Sequence, residues 1–434
     1  MLEKAQELNL KNNQKDKHMI SNSVNSTIPE EYFDVVIIGC GVSGSTLAAY
    51  LASSGVSVLT IEKESFPRYH VGESLTGMVG KIIAELGLEE QMSQYKFPLK
   101  GGVKVLGREA KSEFFVPALR PTWQVRREEF DQMLLDKAIE CGAEHRYGTV
   151  KEVLKEGDKV VGIKYIPSDE DKTIKTIRAK VVADASGQST FLSRQKIAGQ
   201  RRNYETFKKQ VAVFTQIKDA IRDPGAMGDN TFLFYAQLYH WAWFIPISED
   251  TVSVGIVVPT PKMAECGGKQ ETLEWGLDNI SPDLKRRVEN LPYETVRAIS
   301  NYSYSVDPFV GNGWLCVGDA HRFCDPIFSF GVSLGMVEAK QASIAITKAL
   351  SDDNCTHHFQ EYAAFCNRGQ NVARDLIVYF WQYPTFFGYQ AKSTFRKDIV
   401  HLLGGDCHQA EELSAIKMIR QALNKKQPVA ASST

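Results

Sequence analysis

No stretch of this chain stays apolar for the roughly 20 residues that a bilayer-spanning helix requires, so no membrane span is expected. An excess of charge is also missing. The 51 Lys and Arg residues nearly balance 52 Asp and Glu, leaving a net charge of −1, and nothing calls for nucleic acid or an acidic polymer as partner. The eight cysteines include no CxxC pair and no zinc-ligand spacing. They read as reduced thiols of a cytoplasmic protein, with no metal centre. Residues 1–31 have no apolar core behind a positive start, as a signal peptide would. They are polar, as in Asn12–Lys17, and read as a disordered tail, as does 424–434. There is no internal repeat.

What is present is length and apolar content. The 434 residues, 43% of them hydrophobic, can fill two or three structural units. The chain is organised around Asp34–Glu62. The apolar run Val35–Ile38 reads as a buried strand, Gly39-Cys40-Gly41-Val42-Ser43-Gly44 follows, and a helix runs through Leu47, Ala48 and Leu51. A second strand over Val56–Ile61 ends at Glu62, eighteen residues past Gly44. This is a dinucleotide fingerprint in its βαβ context. Gly39 permits the turn, Gly41 admits a pyrophosphate, Gly44 lets helix and strand approach, and Glu62 accepts from a ribose hydroxyl. The first N–H groups of the helix face the phosphates.

Further along, apolar spacing at Val79, Ile82, Ile83 and Leu86 predicts a helix, and Gly101–Leu106 a strand. A helix opening near Arg127 buries Phe130, Met133, Leu134 and Ala138. A strand begins at Thr149-Val150. Strands over Val160–Ile166 and Thr176–Ala183 follow, joined by a polar turn at 168–171. Residues 200–293 are rich in aromatic and β-branched runs: Phe207–Ile217, Thr231–Tyr239, Ala242–Ile247 and Val252–Pro259. They predict an antiparallel sheet. A polar helix is expected over Gln270–Asn290, a strand over Tyr302–Phe309, and helices from Phe359 onward.

Three distant pieces fit one ligand: the fingerprint, Arg127 within V-x-R-x-x-F-D, and Gly318-Asp319 at a strand end. Together they resemble the FAD-dependent monooxygenase superfamily of the p-hydroxybenzoate hydroxylase type, with Asp184-Ala185-Ser186-Gly187 similar to its second glycine signature. Within that superfamily, Trp241-Ala242-Trp243-Phe244-Ile245-Pro246 matches W-x-W-x-I-P, the signature of flavin-dependent halogenases. Gly72-Glu73-Ser74, Lys100 and Asp325–Val332 also resemble that family. The resemblance spans about Phe33 to Leu350. It implies an α/β fold: a Rossmann-like FAD-binding domain over 32–199 plus 294–350, an inserted antiparallel β-sheet substrate domain over 200–293, and a helical C-terminal segment over 351–423.

The resemblance implies that reduced FAD and O2 oxidise chloride or bromide to hypohalous acid, which an active-site lysine delivers to an electron-rich aromatic ring. A separate flavin reductase supplies FADH2, and the substrate is a small indole, pyrrole or phenol, free or carrier-bound. The implied FAD site comprises Gly39, Gly41, Ser43, Gly44, Glu62, Lys63, Arg68, Ser74, Arg127, Val150, Asp184, Gly318, Asp319, Pro326 and Gly331. Backbone N–H groups of Phe330 and Gly331 would bind halide. Trp241 and Trp243, two apart on a strand and so on one face, either fill core or wall the flavin off from the substrate. The lysine is Lys100 or Lys104, and Ser329 orients it. A lysine suits the task because desolvation can leave its amine neutral. Phe328 stands where tryptophan halogenases carry a glutamate, and Gly77 where the family usually has proline. A compact aromatic other than free tryptophan is therefore expected. An aromatic hydroxylase, a flavin reductase of isoprenoid double bonds and a non-catalytic flavin-binding module are the competing readings.

Overall fold

The computed structural model describes residues 31–107, 113–120, 122–168, 172–204, 207, 209–352 and 354–424. The expected tails at 1–30 and 425–434, and 169–171 of the expected turn, lie outside the described residues. Glu31 and Asn424, assigned to the tails, instead belong to a strand and a helix.

The fingerprint folds as β1 (Glu31–Ile38), α1 (Val42–Ser53) and β2 (Val58–Glu62). β1 and β2 are parallel, with Val35 opposite Val58 and Ile38 opposite Ile61. Residues 35–38 are buried, which explains an apolar run without alternation: a central parallel strand is covered on both faces. On its other edge β1 pairs with Lys175–Asp184, which pairs in turn with Trp314–Cys316, all parallel. The 13-residue strand Glu144–Glu156 pairs first with β2, then turns away to pair antiparallel with Lys159–Pro167. Lys159–Pro167 returns to Lys175–Asp184, so the hydrogen bonding closes a circuit beside the cofactor fingerprint.

The second sheet has the order Arg297–Ser300, Gln210–Lys218, Thr251–Pro259, His240–Pro246, Thr231–Gln237, Gly102–Gly107, Phe114–Pro117. Three of these strands come from outside 200–293, so the sheet is larger than the expected segment. It is antiparallel except where Gly102–Gly107 runs parallel to Thr231–Gln237. Its two faces are sorted by the period-2 alternation of each strand. Val213, Phe232, Phe244, Val254 and Ile256 share a core with Leu273 and Leu284 of two short helices, Lys269–Asn279 and Pro282–Val288. Phe214, Leu233, Trp241, Trp243 and Val257 face the other way, towards the long helix Cys355–Gln382.

The single helix expected over 270–290 is broken between those two. Ser281 caps the second, accepting the Asp283 N–H, and Pro282 occupies its first turn, where it breaks no hydrogen bond. The strand expected over 302–309 shrinks to Tyr304–Ser305. The expected C-terminal helices form at Cys355–Gln382, Pro384–Lys392, Arg396–Leu403 and Ser414–Asn424. No helix among the described residues is long and apolar enough to cross a membrane.

Candidate active site

A cavity of about 460 Å³ joins the turn after β1 to the tryptophan face of the second sheet. Its size is that of a small-molecule or cofactor site. At the fingerprint end, Gly39 has φ +95°, and a Cβ there would lie 2.7 Å from the Ala185 carbonyl oxygen, so only glycine serves. A Cβ on Gly44 would press into the Gly39 carbonyl, which makes Gly44 the close contact between helix and strand. Gly41 differs. Its φ is −64°, and a Cβ would meet only the Arg68 guanidinium, at 3.4 Å. The protein's own packing does not require glycine here. A phosphate chain crossing the turn does, and that fits a dinucleotide.

Glu62 ends β2 on the cavity wall and accepts the N–H groups of Cys40 at 2.8 Å and Glu64 at 3.0 Å. Arg127, at the start of helix Arg127–Glu140, grips Asp131 through Nε and Nη2 at 2.7 and 3.0 Å. Its Nη1 donates to the Val71 and Gly72 carbonyls. Burial works against the Arg127 charge, and the Asp131 carboxylate outweighs it, so the guanidinium stays protonated. Arg127 therefore ties the Val71–Gly72 loop to the helix as well as facing the cavity. Arg68 reaches the same carboxylate at 3.1 Å. Asp319 lines the cavity opposite, and burial together with the Glu338 charge pushes its carboxyl up to about 7.

At the other end, Trp241 and Trp243 lie with ring centroids 5.9 Å apart and both line the cavity. Trp243 Nε1 donates to Ser253 Oγ at 3.1 Å. The Trp241 indole N–H and the Tyr302 hydroxyl, both on lining residues, are buried without a partner among the described residues. Such donors are costly unless something accepts from them, which again fits a polar ring system. Ser329, in the left-handed region at φ 58°, and Gly331 line this end at the start of helix Phe330–Asp352. The first-turn N–H groups there lack intrahelical acceptors.

Lys100 lies one residue behind the wall. Its Nζ donates to Ser74 Oγ and to the Leu75 carbonyl, each at 2.8 Å. Ser74 Oγ lies 2.7 Å from Thr231 Oγ1, and both of those residues line the cavity. Only 6% of Lys100 is exposed, and burial pushes its pKa down to about 7.

Of the residues singled out in the sequence, Gly39, Gly41, Ser43, Glu62, Lys63, Arg68, Ser74, Arg127, Val150, Asp319, Pro326, Ser329, Gly331 and both tryptophans converge on this one cavity. Others stand elsewhere. Lys104 is on the opposite face of the sheet, paired with Glu113 at 2.9 Å and beside Phe232, because strand alternation puts it out of phase with Val103 and Val105. Asp184 is buried within the loop that follows it, accepting from the Ser186 and Leu192 N–H groups. Gly44 and Gly318 are packing contacts, Gly318 against Ser43. Phe330 turns its side chain away from the cavity, into the core. Sequence reasoning missed Tyr302, Gln188 and Arg194 among the lining residues. Arg194 and Gln188 follow the Asp184–Gly187 signature closely enough to have been suspected. Tyr302 carried no signal.

The arrangement is that of an FAD-binding oxidoreductase. A sequence model of the FAD binding domain matches residues 32–374. The chain is 47% identical over 396 residues to the 1H-pyrrole-2-carbonyl-[peptidyl-carrier protein] brominase of Pseudoalteromonas luteoviolacea, covering 91% of this chain and 97% of that one. It is 30% identical to the corresponding chlorinase of Pseudomonas fluorescens, covering 90% and 93%. The solved structure of flavin-dependent brominase Bmp2 superposes with a TM-score of 0.88 at 46% identity, covering 91% and 98%. The chain belongs to the flavin-dependent halogenases, enzymes that use FAD and a halide.

Proposed function

We propose that this halogenase acts on a pyrrole-2-carbonyl group carried as a thioester on a carrier protein, with bromide ahead of chloride, and that Lys100 delivers the halogen. Reduced FAD, when bound, supplies the two electrons that O2 needs to oxidise halide to hypohalous acid, and a separate reductase provides it. The protein's own residues do the rest. Gly39, Gly41 and the start of α1 hold the pyrophosphate, Glu62 a ribose, and Asp319 the ribityl chain. The N–H groups of Phe330 and Gly331 bind halide at the helix N-terminus. Trp241 and Trp243 keep the organic substrate off the flavin. Lys100, whose burial favours the neutral amine, attacks the halogen of hypohalous acid. An N–halogen bond forms and water leaves. The pyrrole carbon then takes the halogen, the amine is restored, and the ring loses a proton.

The observation that carries this reading is a buried lysine, bonded to Ser74 and Leu75, against the wall of the tryptophan-lined cavity. The carrier-bound pyrrole rests on the activities named for the two relatives. The test offers reduced FAD, O2 and bromide with pyrrole-2-carbonyl carrier protein or with free pyrrole-2-carboxylate. Brominated carrier-bound product with little free product is expected. Lys100→Ala should still oxidise reduced FAD and release trappable hypobromite without brominating the pyrrole. Equal turnover of free acid would overturn the carrier assignment, and normal bromination by Lys100→Ala the lysine assignment.

A further inference from the structure

Glu338 lies in helix Phe330–Asp352, shortly after the Asp325–Val332 stretch but in no motif itself, and is completely buried. One carboxylate oxygen accepts the Gly318 N–H at 3.0 Å and the His321 Nε2–H at 2.9 Å. The other accepts from Gln370 Nε2 at 2.9 Å. A carboxylate is acceptor-only and has room for all three donors. Gln370 belongs to the long C-terminal helix, and His408, from the segment beyond Gly405, stands 4.0 Å from the same carboxylate. Burial alone would raise the pKa of Glu338, but the His321 and His408 imidazoles outweigh it and hold it well below the usual carboxylate range. The group is a fixed buried anion, and the turn it grips presents Asp319 to the cavity.

We propose that Glu338 is a positioning residue for the cofactor: its carboxylate clamps the Gly318–Asp319 turn, ties it to the C-terminal helix through Gln370, and so fixes where Asp319 meets the cavity. The reasoning rests on assigning the cavity to FAD. A negative charge beside Asp319 opposes its ionisation, and burial acts in the same direction. A protonated Asp319 can donate to a ribityl oxygen as well as accept. The titratable groups around the pair are His321, His408, Cys366 and Tyr362 near Glu338, and Arg127 and Tyr304 near Asp319. Burial pushes Cys366, Tyr362 and Tyr304 far above neutrality, and Arg127 stays charged, so none of these four titrates between pH 5.5 and 9.

The test titrates FAD-stripped full-length protein with oxidised FAD across that pH range and reads flavin fluorescence. The wild type should show a midpoint in log Kd near pH 7. Glu338→Gln keeps the shape and removes the charge. It should raise Kd severalfold at pH 7 and move the midpoint down by at least half a unit. Glu338→Met also removes the acceptors, leaves the Gly318 N–H unpaired, and should raise Kd at least tenfold. Asp319→Asn should abolish the midpoint. A midpoint that survives in Asp319→Asn belongs to another group and overturns the proposal. So does a folded Glu338→Gln with the wild-type Kd and midpoint, or one whose midpoint does not move. Gly41→Ala separates the two readings. If it leaves FAD binding intact, the cavity assignment itself fails. If it weakens binding while Glu338→Gln does not, only the role of Glu338 fails.

Discussion

Lys100 Nζ lies 2.8 Å from Ser74 Oγ, so the buried amine reaches the cavity through a single hydroxyl. Burial at this point lowers its pKa and costs stability. A lysine with a folded pKa near 7 and an ordinary value of 10.5 gives up its proton on folding between those two pH values. Below about pH 7 it is charged in both states and the full burial penalty is present. The penalty fades as pH rises towards 10.5. Lys100→Met, which removes the charge, should therefore be more stable than the wild type at pH 6, and this advantage should shrink towards pH 10. The change in the difference is up to about 5 kcal/mol, less what the lost bonds to Ser74 and Leu75 contribute. Denaturant melts of both proteins at the two pH values check it, and a difference independent of pH would refute the shift.

Much of the site was legible because its parts are local. The turn after β1, the helix behind it and Glu62 lie within 29 residues, and glycine spacing reports them directly. Lys104 shows where legibility stops. Which face of a strand is functional depends on the strands beside it, and Gly102–Gly107 joins a sheet built mostly from residues a hundred positions later. The Glu338 clamp was invisible for the same reason: Gly318, His321 and Gln370 meet it only through the fold. The Ser281-Pro282 helix break, in contrast, was written in the sequence as a cap followed by proline.

The fingerprint glycines should separate by experiment. Gly41→Ala adds a methyl where only the end of Arg68 is near, so the melting temperature of the FAD-free protein should hold within about 2 °C. Its FAD Kd should rise by at least about tenfold, roughly 1.4 kcal/mol. Gly44→Ala forces a methyl into the Gly39 carbonyl and should destabilise the FAD-free protein itself by several degrees. Thermal melts without FAD, followed by FAD titration of whatever folds, distinguish the two.

The tryptophans pack the cavity wall, and the proposed function adds a screening role. Truncating either to Ala should destabilise by about 3–5 kcal/mol. Trp243→Ala should lie at the upper end, since it also removes the N–H that Ser253 Oγ accepts. Beyond stability, halogenated product per reduced flavin consumed should fall, and hydroxylated product is the expected companion. Trp243→Phe fills most of the space without the N–H and should recover most of the stability. Product mass spectra alongside flavin oxidation measure this, and an undiminished halogen yield in the double Ala variant would leave the pair as core alone.

The contact between Ser74 and Lys100 gives the most specific expectation for the chemistry. Ser74→Ala leaves Lys100 only the Leu75 carbonyl, a loss of about 1 kcal/mol in stability. The lost hydroxyl had favoured the charged amine by accepting from it, so its removal should lower the lysine pKa further. The pH at which halogen delivery reaches half its maximum should then move below the wild-type value near 7, while hypohalite release is unchanged. Lys104→Ala is the matched control. Its ammonium sits between Glu113 and Asp223 on the far face of the sheet, an ion pair near the surface worth no more than about 1 kcal/mol. Halogenation by this variant should stay within about twofold of the wild type, since a surface pair contributes little. Single-turnover product formation from pH 5.5 to 9, with a hypohalite trap run in parallel, reads both variants. An unmoved profile in Ser74→Ala with lost product in Lys104→Ala would shift halogen delivery to the other face of the sheet and undo the assignment of Lys100.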